Sequence, residues 1–192
     1  MTDPTRRRDA GRTRAALLNA AAELFAERGF AHATIRDIGE RAGVDSAMIA
    51  RYFGGKAQLY VAVLQKEQGT GEPPDLLDGE RLRHVVERAV RQGAGPLYHS
   101  ALHAHDDPRA DEFSRRELHR RIVTPLARRL AADGADRPQA RAELLTAAVV
   151  GVLIGRSSGT LPALTALDAD ELAGLLAQVL SAMEPRECSR RF

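Results

Sequence analysis

Cysteine and tryptophan are almost missing from this chain, and aromatic residues are few. The one cysteine, Cys188, lies near the C-terminus, so the sequence offers neither a disulfide framework nor a thiolate metal cluster. No apolar run has the length of a membrane-spanning helix, and the first residues lack the apolar segment of a signal peptide. We therefore expect a cytoplasmic protein that needs no cofactor.

The motifs of enzyme active sites are also absent. We find no glycine-rich phosphate loop after a strand, no nucleophile elbow, and no His and carboxylate arrangement with a plausible nucleophile. His99, His103 and His105 suggest a metal site because the first two are four residues apart, but no cysteine is near. We interpret these histidines as structural and expect neither an enzyme nor a metal site.

The chain does contain a succession of helical patterns with clear breaks. Apolar residues recur three and four positions apart, and no alternating β-branched run has a convincing length. The plainest linker is the segment GTGEPP over residues 69–74. The last two patterns cover residues 138–156 and the segment that begins at Asp168, where Glu171 completes a capping box. Between residues 109 and 131 a helix is expected to kink at Pro125.

Residues 34–42 have the pattern of a short, well-defined helix. Thr34 is an N-cap candidate, and Asp37 follows three residues later as in a capping box. Ile35, Ile38 and Ala42 are expected to share the apolar face. Gly43 follows at the position where a left-handed residue ends a helix.

A second short helix follows, and its outward face is small. Asp45 can cap this helix, Ile49 and Phe53 face inward, and the outward positions are occupied by Ser, Ala, Ala and Arg. Only small or polar side chains let a helix backbone come close to base edges in the major groove. The pattern therefore predicts a helix-turn-helix over residues 34–53. After two glycines, Lys56 and the first amides of the next helix can hold a phosphate.

Positive charge is concentrated toward the N-terminus. Residues 1–70 carry eleven Lys and Arg against eight Asp and Glu, whereas the whole chain has a net charge of +2. Such a local excess beside a helix-turn-helix favours nucleic acid as a partner. The first arginines can reach phosphates or the minor groove, or they can form a solvated tail. They are Arg6, Arg7, Arg8, Arg12 and Arg14.

Residues 11–70 together resemble the TetR family of bacterial transcription regulators. The resemblance implies a three-helix DNA-binding head, a larger helical body that dimerises, and often a small-molecule pocket in that body. The chain departs from the family pattern at Ala50, where most members carry Tyr or His. The motif consists of Leu24-Phe25, Gly29-Phe30, Thr34-Ile35-Arg36-Asp37-Ile38, Ala42-Gly43-Val44 and Tyr52-Phe53-Gly54-Gly55-Lys56-x-x-Leu59.

We therefore predict an all-α protein with a flexible basic arm over residues 1–10, a DNA-binding domain over 11–70, and a C-terminal regulatory and dimerisation domain over 75–185. The resemblance implies a sequence-specific regulator that binds double-stranded DNA. It also implies a homodimeric repressor on a pseudo-palindromic operator, released by a small molecule. The alternative, which Ala50 favours, is a helical small-molecule-sensing or interaction protein with a vestigial DNA-binding head.

The predicted site residues fall into three sets. The resemblance makes Arg36 a base or phosphate contact, and Tyr52 and Lys56 phosphate clamps. Helices that are apolar around most of their circumference must be covered on both sides, so the last two helices predict a four-helix dimer interface or, alternatively, the core of the body. The predicted DNA contacts are Thr34, Arg36, Ser46, Ala47, Met48, Arg51, Tyr52 and Lys56; the predicted ligand-lining residues are Tyr98, Leu102, Phe113 and His119; the predicted interface residues are Leu145, Val149, Val152, Leu172, Leu176 and Val179.

Overall fold

A computed structural model of the chain describes residues 4–67, 75–102 and 107–182, and no strand occurs in these ranges. The prediction of an all-α protein is confirmed. In chain order the helices are α1 (Pro4–His32), α2 (Ile35–Ala42), α3 (Ala47–Phe53), α4 (Lys56–Glu67), α5 (Gly79–Gln92), α6 (Pro96–Leu102), α7 (Pro108–Leu118), a π-helical turn (His119–Val123), α8 (Thr124–Ala132), α9 (Pro138–Ser157), α10 (Pro162–Ala166) and α11 (Ala169–Ala182).

The described residues form two compact units. The first lies within Met1–Gly71 and Gly95–Arg115, and the second lies within Glu72–Ala94 and Arg116–Phe192. Residues 95–102 and 107–115, which we expected in the C-terminal domain, thus pack with the N-terminal helices. The predicted linker over residues 69–74 lies outside the described residues, and the domain bounds drawn from it stay a prediction.

Helix α1 begins earlier than the sequence suggested. We expected a flexible arm over residues 1–10, but the structure has α1 already at Pro4. Proline is favoured in the first turn because its missing N–H would find no partner there. Gly11 alone disfavours the helix over the next two turns, and its cost of about 1 kcal/mol is small against a helix this long. At Gly29 the helical dihedral angles are interrupted (φ 74°, ψ 172°).

The first unit is built around a cluster of aromatic rings. The ring centroid of Tyr60, on α4, lies 5.1 Å from those of Phe25 and Phe30, both on α1. The buried Tyr60 hydroxyl donates a 2.8 Å hydrogen bond to the carbonyl of Pro96, which begins α6. Apolar residues of the first four helices form the core of this unit, and Phe53 is half-buried beside it although it was expected to face inward; the buried residues are Phe25, Phe30, Ile38, Ile49, Leu59 and Val63.

Ile35 does not join this core. We expected it to share the inward face with Ile38, but 46% of Ile35 is exposed. Its position explains the difference, because Ile35 is the first residue of α2. The first turn of a short helix projects past the surface on which the helix packs, so an apolar side chain there can remain in solvent.

The second unit pairs α5 with α11, and α8 with α9. Asp168 and Glu171 form the predicted capping box ahead of α11: the Glu171 amide donates to Asp168 Oδ1 at 2.9 Å, and the Asp168 amide donates to Glu171 Oε2 at 3.1 Å. The short helix α10 was not predicted. Arg156 holds it by donating to the carbonyls of Leu164 and Leu167.

Pro125 distorts the helical segment in the predicted place but in a different way. We expected one kinked helix over residues 109–131, whereas the structure has α7, a π-helical turn and α8. Pro125 lacks the N–H that would bond to the carbonyl of Arg121. Just before Pro125 the helical hydrogen bonds become one residue longer, so that the Thr124 amide donates to the His119 carbonyl five residues back.

Gly39 lets α2 and α3 approach closely. The Val44 amide donates to the Gly39 carbonyl at 3.0 Å, which folds the turn back onto α2. A Cβ on Gly39 would lie 2.9 Å from the Val44 carbonyl oxygen and 3.1 Å from the Ser46 Cα. Both neighbours are backbone atoms and cannot rotate away, so this glycine is required by space.

We therefore expect Gly39→Ala to destabilise the protein by about 1–2 kcal/mol, because the clash outweighs the gain of about 1 kcal/mol that alanine brings to a helix interior. Gly11→Ala is the matched control, since a Cβ there meets nothing within 4 Å. It should stabilise the protein by about 0.5–1 kcal/mol. Urea unfolding followed by circular dichroism measures both. A Gly39→Ala protein as stable as the wild type would contradict the steric argument.

Candidate nucleic-acid interface

The start of α2 is held by a reciprocal pair of hydrogen bonds. The Asp37 amide donates to Thr34 Oγ1 at 3.1 Å, and the Thr34 amide donates to Asp37 Oδ2 at 3.1 Å. The predicted capping box is thereby confirmed. The hydrogen bonds from Thr34 lower the pKa of the Asp37 carboxyl below its ordinary value. The box fixes the residue at which the helix-turn-helix begins.

The turn between α2 and α3 follows the predicted pattern. Gly43 is left-handed (φ 63°), and its amide donates to the Glu40 carbonyl at 3.2 Å. Asp45 Oδ1 accepts a 2.9 Å hydrogen bond from the Ala47 amide, which satisfies one of the first free amides of α3. The direction of α3 is therefore set by local hydrogen bonds at both ends of the turn.

The reading helix α3 has one buried side and one open side. Ile49 is 1% exposed and anchors the helix in the core of the first unit. Ala47, Ala50 and Arg51 are exposed, and they leave the backbone of α3 within reach of a large partner. Ser46 and Met48 are half-buried at the N-terminal end, where reading helices contact base edges.

Two glycines connect α3 to α4. Gly54 (φ 86°) and Gly55 (φ 138°) both have backbone conformations that side chains disfavour. Lys56 then begins α4, with its ammonium nitrogen 4.3 Å from the centroid of the Phe30 ring. The ring holds the half-buried lysine in place without neutralising its charge.

The arginines of this surface differ in their partners. Arg36 donates to Glu40 at 2.8 Å, and this hydrogen bond raises the pKa of the Arg36 guanidinium. Arg41 donates to Glu27 at 2.6 Å and so ties α2 to α1. Arg51 has no carboxylate within 4.0 Å among residues 4–67, 75–102 and 107–182, so its full charge faces solvent. The i,i+4 spacing of Arg36 and Glu40 could have revealed their pairing, and we missed it.

The predicted DNA contacts all lie in the first unit, on or beside the helix-turn-helix. Thr34, Arg36, Ala47 and Arg51 are exposed. The other four predicted contacts are half-buried; they are Ser46, Met48, Tyr52 and Lys56. None of the eight is fully buried. Phe30, which lies in the core and also supports Lys56, was named only as part of the family motif. No sequence signal indicated this second role, because the two residues are far apart in the chain.

The predicted ligand-lining residues do not fall in one unit. Tyr98 is buried and Phe113 half-buried in the first unit, whereas the half-buried His119 belongs to the second. The side chain of Leu102 lies outside the described residues, as do His103 and His105. His99 Nε2 lies 3.2 Å from the Ala26 carbonyl oxygen, which is consistent with the structural role expected for it.

The predicted dimer residues differ in their burial within the subunit. Leu145 and Val149 on α9, and Leu172 and Leu176 on α11, are buried inside the second unit, which favours for these four the alternative of a body core. Both helices carry apolar residues on several sides, and the sequence did not indicate which side packs within the subunit. Val152 is half-buried, Val179 is 55% exposed, and Leu144 (56%) and Leu175 (48%) are exposed although they were not predicted.

Comparison with known proteins covers both units. Residues 17–63 match the family described as "Bacterial regulatory proteins, tetR family". Residues 79–183, more than half of the chain, match "Tetracyclin repressor-like, C-terminal domain". The chain belongs to the TetR family. TetR proteins are DNA-binding transcription regulators, so the helix-turn-helix of the first unit is a DNA-binding element.

Individual TetR relatives match over part of their length. The chain is 46% identical over 76 residues to the HTH-type transcriptional repressor Rv3405c of Mycobacterium tuberculosis, a match that covers 40% of this chain and 39% of the relative. It is 43% identical over 53 residues to the HTH-type transcriptional activator FasR of Mycolicibacterium smegmatis, covering 28% of this chain and 24% of FasR. The relatives that match this part of the chain thus include a repressor and an activator.

Solved structures of similar fold extend over most of the chain. The chain superposes on NalD of Pseudomonas aeruginosa, described as the secondary repressor of a multidrug efflux pump, with a TM-score of 0.64 at 22% identity over 94% of this chain and 100% of NalD. For the fatty acid degradation regulator FadR of Bacillus halodurans the TM-score is 0.60 at 16% identity, over 86% of this chain and 96% of FadR. Within the described residues, no helix is long and apolar enough to cross a membrane.

The ion pair between α1 and α2 predicts an acid-sensitive head. The hydrogen bond from Arg41 holds the pKa of the Glu27 carboxyl below its ordinary value of 4.5. A carboxyl with a lowered pKa in the folded state stabilises the fold at neutral pH and loses this contribution as the pH falls through that pKa. We expect Glu27→Gln to be less stable than the wild type at pH 7, with the difference shrinking below about pH 4.5.

Thermal unfolding between about pH 3 and 7 measures this difference, since the carboxyl titrates in that window. Glu23→Gln is the control, because Glu23 lies 3.8 Å from the same guanidinium without a hydrogen bond. Its effect should be smaller at every pH. A difference between wild type and Glu27→Gln that stays constant across the range would refute the role of the ion pair.

Proposed function

We propose that this TetR protein is a homodimeric repressor that binds a pseudo-palindromic operator and leaves it when a small molecule binds. The observation that carries the proposal is the open face of α3, with Ala47, Ala50 and Arg51 exposed and Ile49 anchored beneath. A seven-residue helix is about 10 Å long and fits within a major groove about 12 Å wide. Ala47 and Ala50 are small and Arg51 is polar and flexible, so the face does not keep the groove away.

The residues divide into base-reading and phosphate-binding groups. Ser46, Ala47 and Met48, in the N-terminal turn of α3, face the base edges. Tyr52 and Lys56, at the other end, bind phosphates, and Thr34 does so at the start of α2. Arg51 lies on the exposed face of α3 with no carboxylate within 4.0 Å in the part of the chain that the structure describes, and there it binds a guanine edge or a phosphate.

Arg36 has to exchange partners on binding. Its guanidinium is hydrogen-bonded to Glu40, and both side chains are largely exposed. A phosphate or a guanine edge then replaces Glu40 as the acceptor. Because solvent screens an exposed ion pair of this kind, the exchange costs little.

Dimerisation uses the apolar side chains that the subunit leaves open on α9 and α11. Leu144, Leu175 and Val179 are each about half exposed. Two heads held by one twofold interface read two half-sites about one helical turn apart, which accounts for a pseudo-palindromic operator.

Release by a ligand is supported by the packing of α6 in the first unit. The Pro96 carbonyl accepts from Tyr60 on α4, and His99 lies against the Ala26 carbonyl on α1. A small molecule that displaces α6 therefore pulls on both helices that support α3. Such a shift reduces affinity for DNA if the ligand binds the displaced arrangement better.

The first experiment is selection of bound sequences from a random duplex library by the full chain. We expect enrichment of two inverted half-sites, and a mobility shift with the enriched duplex. The sensing protein with a vestigial head, which Ala50 favours, predicts no enrichment at any step. Enrichment of a single, unrepeated site would remove the homodimeric operator from the proposal.

Lys56→Ala should weaken binding to every duplex sequence, because a phosphate contact carries no base information. The slope of log K against log salt should become less steep by about 0.9, the value for one phosphate. Lys66→Ala is the control: Lys66 is on the same helix, near its far end, and donates to Asn19. Fluorescence anisotropy at several salt concentrations measures both slopes. Equal slopes for wild type and Lys56→Ala would show that Lys56 binds no phosphate.

Val179→Asp should shift the protein from dimer to monomer, because it buries a charge in the proposed interface. Light scattering should then give about the 20.8 kDa of one chain. Val90→Asp, which changes a valine that is also exposed but lies on α5, should remain dimeric. A dimer that survives Val179→Asp combined with Leu175→Asp would place the interface elsewhere.

A further inference from the structure

Arg14 stands beside the reading helix although it belongs to α1. Its guanidinium carbon lies 4.9 Å from the centroid of the Phe53 ring, and Phe53 is the last residue of α3. The Arg14 side chain is exposed, and Phe53 is half-buried. The fold thus brings a cation of the first helix to the C-terminal end of the third.

The charge of Arg14 is not neutralised. Arg36 and Arg41 each donate to a carboxylate, whereas Arg14 has no acidic partner within 4.0 Å in the described part of the chain. An aromatic face supports a guanidinium from one side and leaves its N–H edge free for an acceptor. Arg14 therefore combines a fixed position with unused donors.

The location of Arg14 indicates which part of DNA it meets. Phe53 lies six residues after Ala47, or about 9 Å along the axis of α3. When the N-terminal turn of α3 contacts the bases of a groove about 12 Å wide, the other end of the helix lies near the groove's edge, where the phosphates are.

We propose that Arg14 is a further DNA-backbone contact and that the Phe53 ring is its positioning residue. The ligand is a phosphate that flanks the major groove occupied by α3. This inference rests on the proposed DNA binding and adds a contact from a helix outside the helix-turn-helix. It also separates Arg14 from the other N-terminal arginines, whose roles the sequence left open.

The test compares Arg14→Gln with Arg12→Gln on the duplex that wild-type protein enriches from a random library. Arg12 is also exposed, but it lies two residues earlier, about 200° around the helix. For Arg14→Gln the salt slope should decrease by about 0.9, so that its affinity changes about 3.5-fold less than wild type between roughly 50 and 200 mM salt. Arg12→Gln should leave the slope unchanged.

Two results would overturn the contact: an unchanged slope for Arg14→Gln, or equal decreases for both variants, which would indicate only a general effect of charge. If no sequence is enriched in the first place, the proposed DNA binding fails, and that failure is recognised before any variant is made.

A double-mutant cycle tests the ring. Phe53→Leu keeps an apolar side chain but removes the aromatic face, so any effect on folding is shared by both backgrounds. If the ring positions Arg14, Phe53→Leu lowers affinity severalfold in the wild type and much less in the Arg14→Gln background. Equal losses in both backgrounds would limit Phe53 to packing.

Discussion

The packing of three aromatic rings, Phe25, Phe30 and Tyr60, is the interaction on which the DNA-binding element depends. Tyr60 joins α4 to α1 with centroid distances of 5.1 Å to Phe25 and Phe30, and its hydroxyl extends the contact to Pro96 on α6. Helix α3, with seven residues, is far too short to be stable in isolation. The aromatic cluster fixes the position of α4, and α3 is held in turn by its packing against α4 and by the buried Ile49.

Scarce aromatic residues have two uses in the first unit. Five of the chain's eight lie between residues 25 and 60. Phe30 fills the core and also supports the Lys56 ammonium, and Phe53 packs beside the core and supports the Arg14 guanidinium. Packing and the placement of positive charge are therefore coupled, because a change of either ring alters both.

Features set by local hydrogen bonds were predictable from sequence. Caps and turns such as those at Thr34, Gly43 and Asp168 depend on residues at most three positions apart, and each was confirmed. Features set by tertiary packing were not. Leu145 was expected at an interface but is buried in the subunit. The local sequence does not indicate which face of an apolar helix packs within its own subunit. The pairing of Arg14 with Phe53 joins residues 39 positions apart and has no local signal.

The open face of α3 combines both kinds of constraint. Its small side chains were visible in the sequence, and Asp45 caps its start as expected. The exposure of this face requires that Ile49, on the opposite side of α3, is buried in the core. That core is formed by the whole first unit. The match to the TetR family identifies the kind of element that α3 belongs to, and the individual DNA contacts follow from this local geometry as proposals.

The π-helical turn ahead of Pro125 also sets the rotational phase of the segment that follows. In an ideal α-helix, residues four apart drift by about 40° at each step. Ile122, Leu126 and Leu130 are nevertheless all buried, because two such steps stay within an apolar stripe of roughly 100°, and the wide turn sets where this stripe begins. Without the π-helical turn, Leu126 and Leu130 would be rotated away from the side on which α8 packs against α9. The irregular turn therefore keeps the buried side of α8 facing its neighbour.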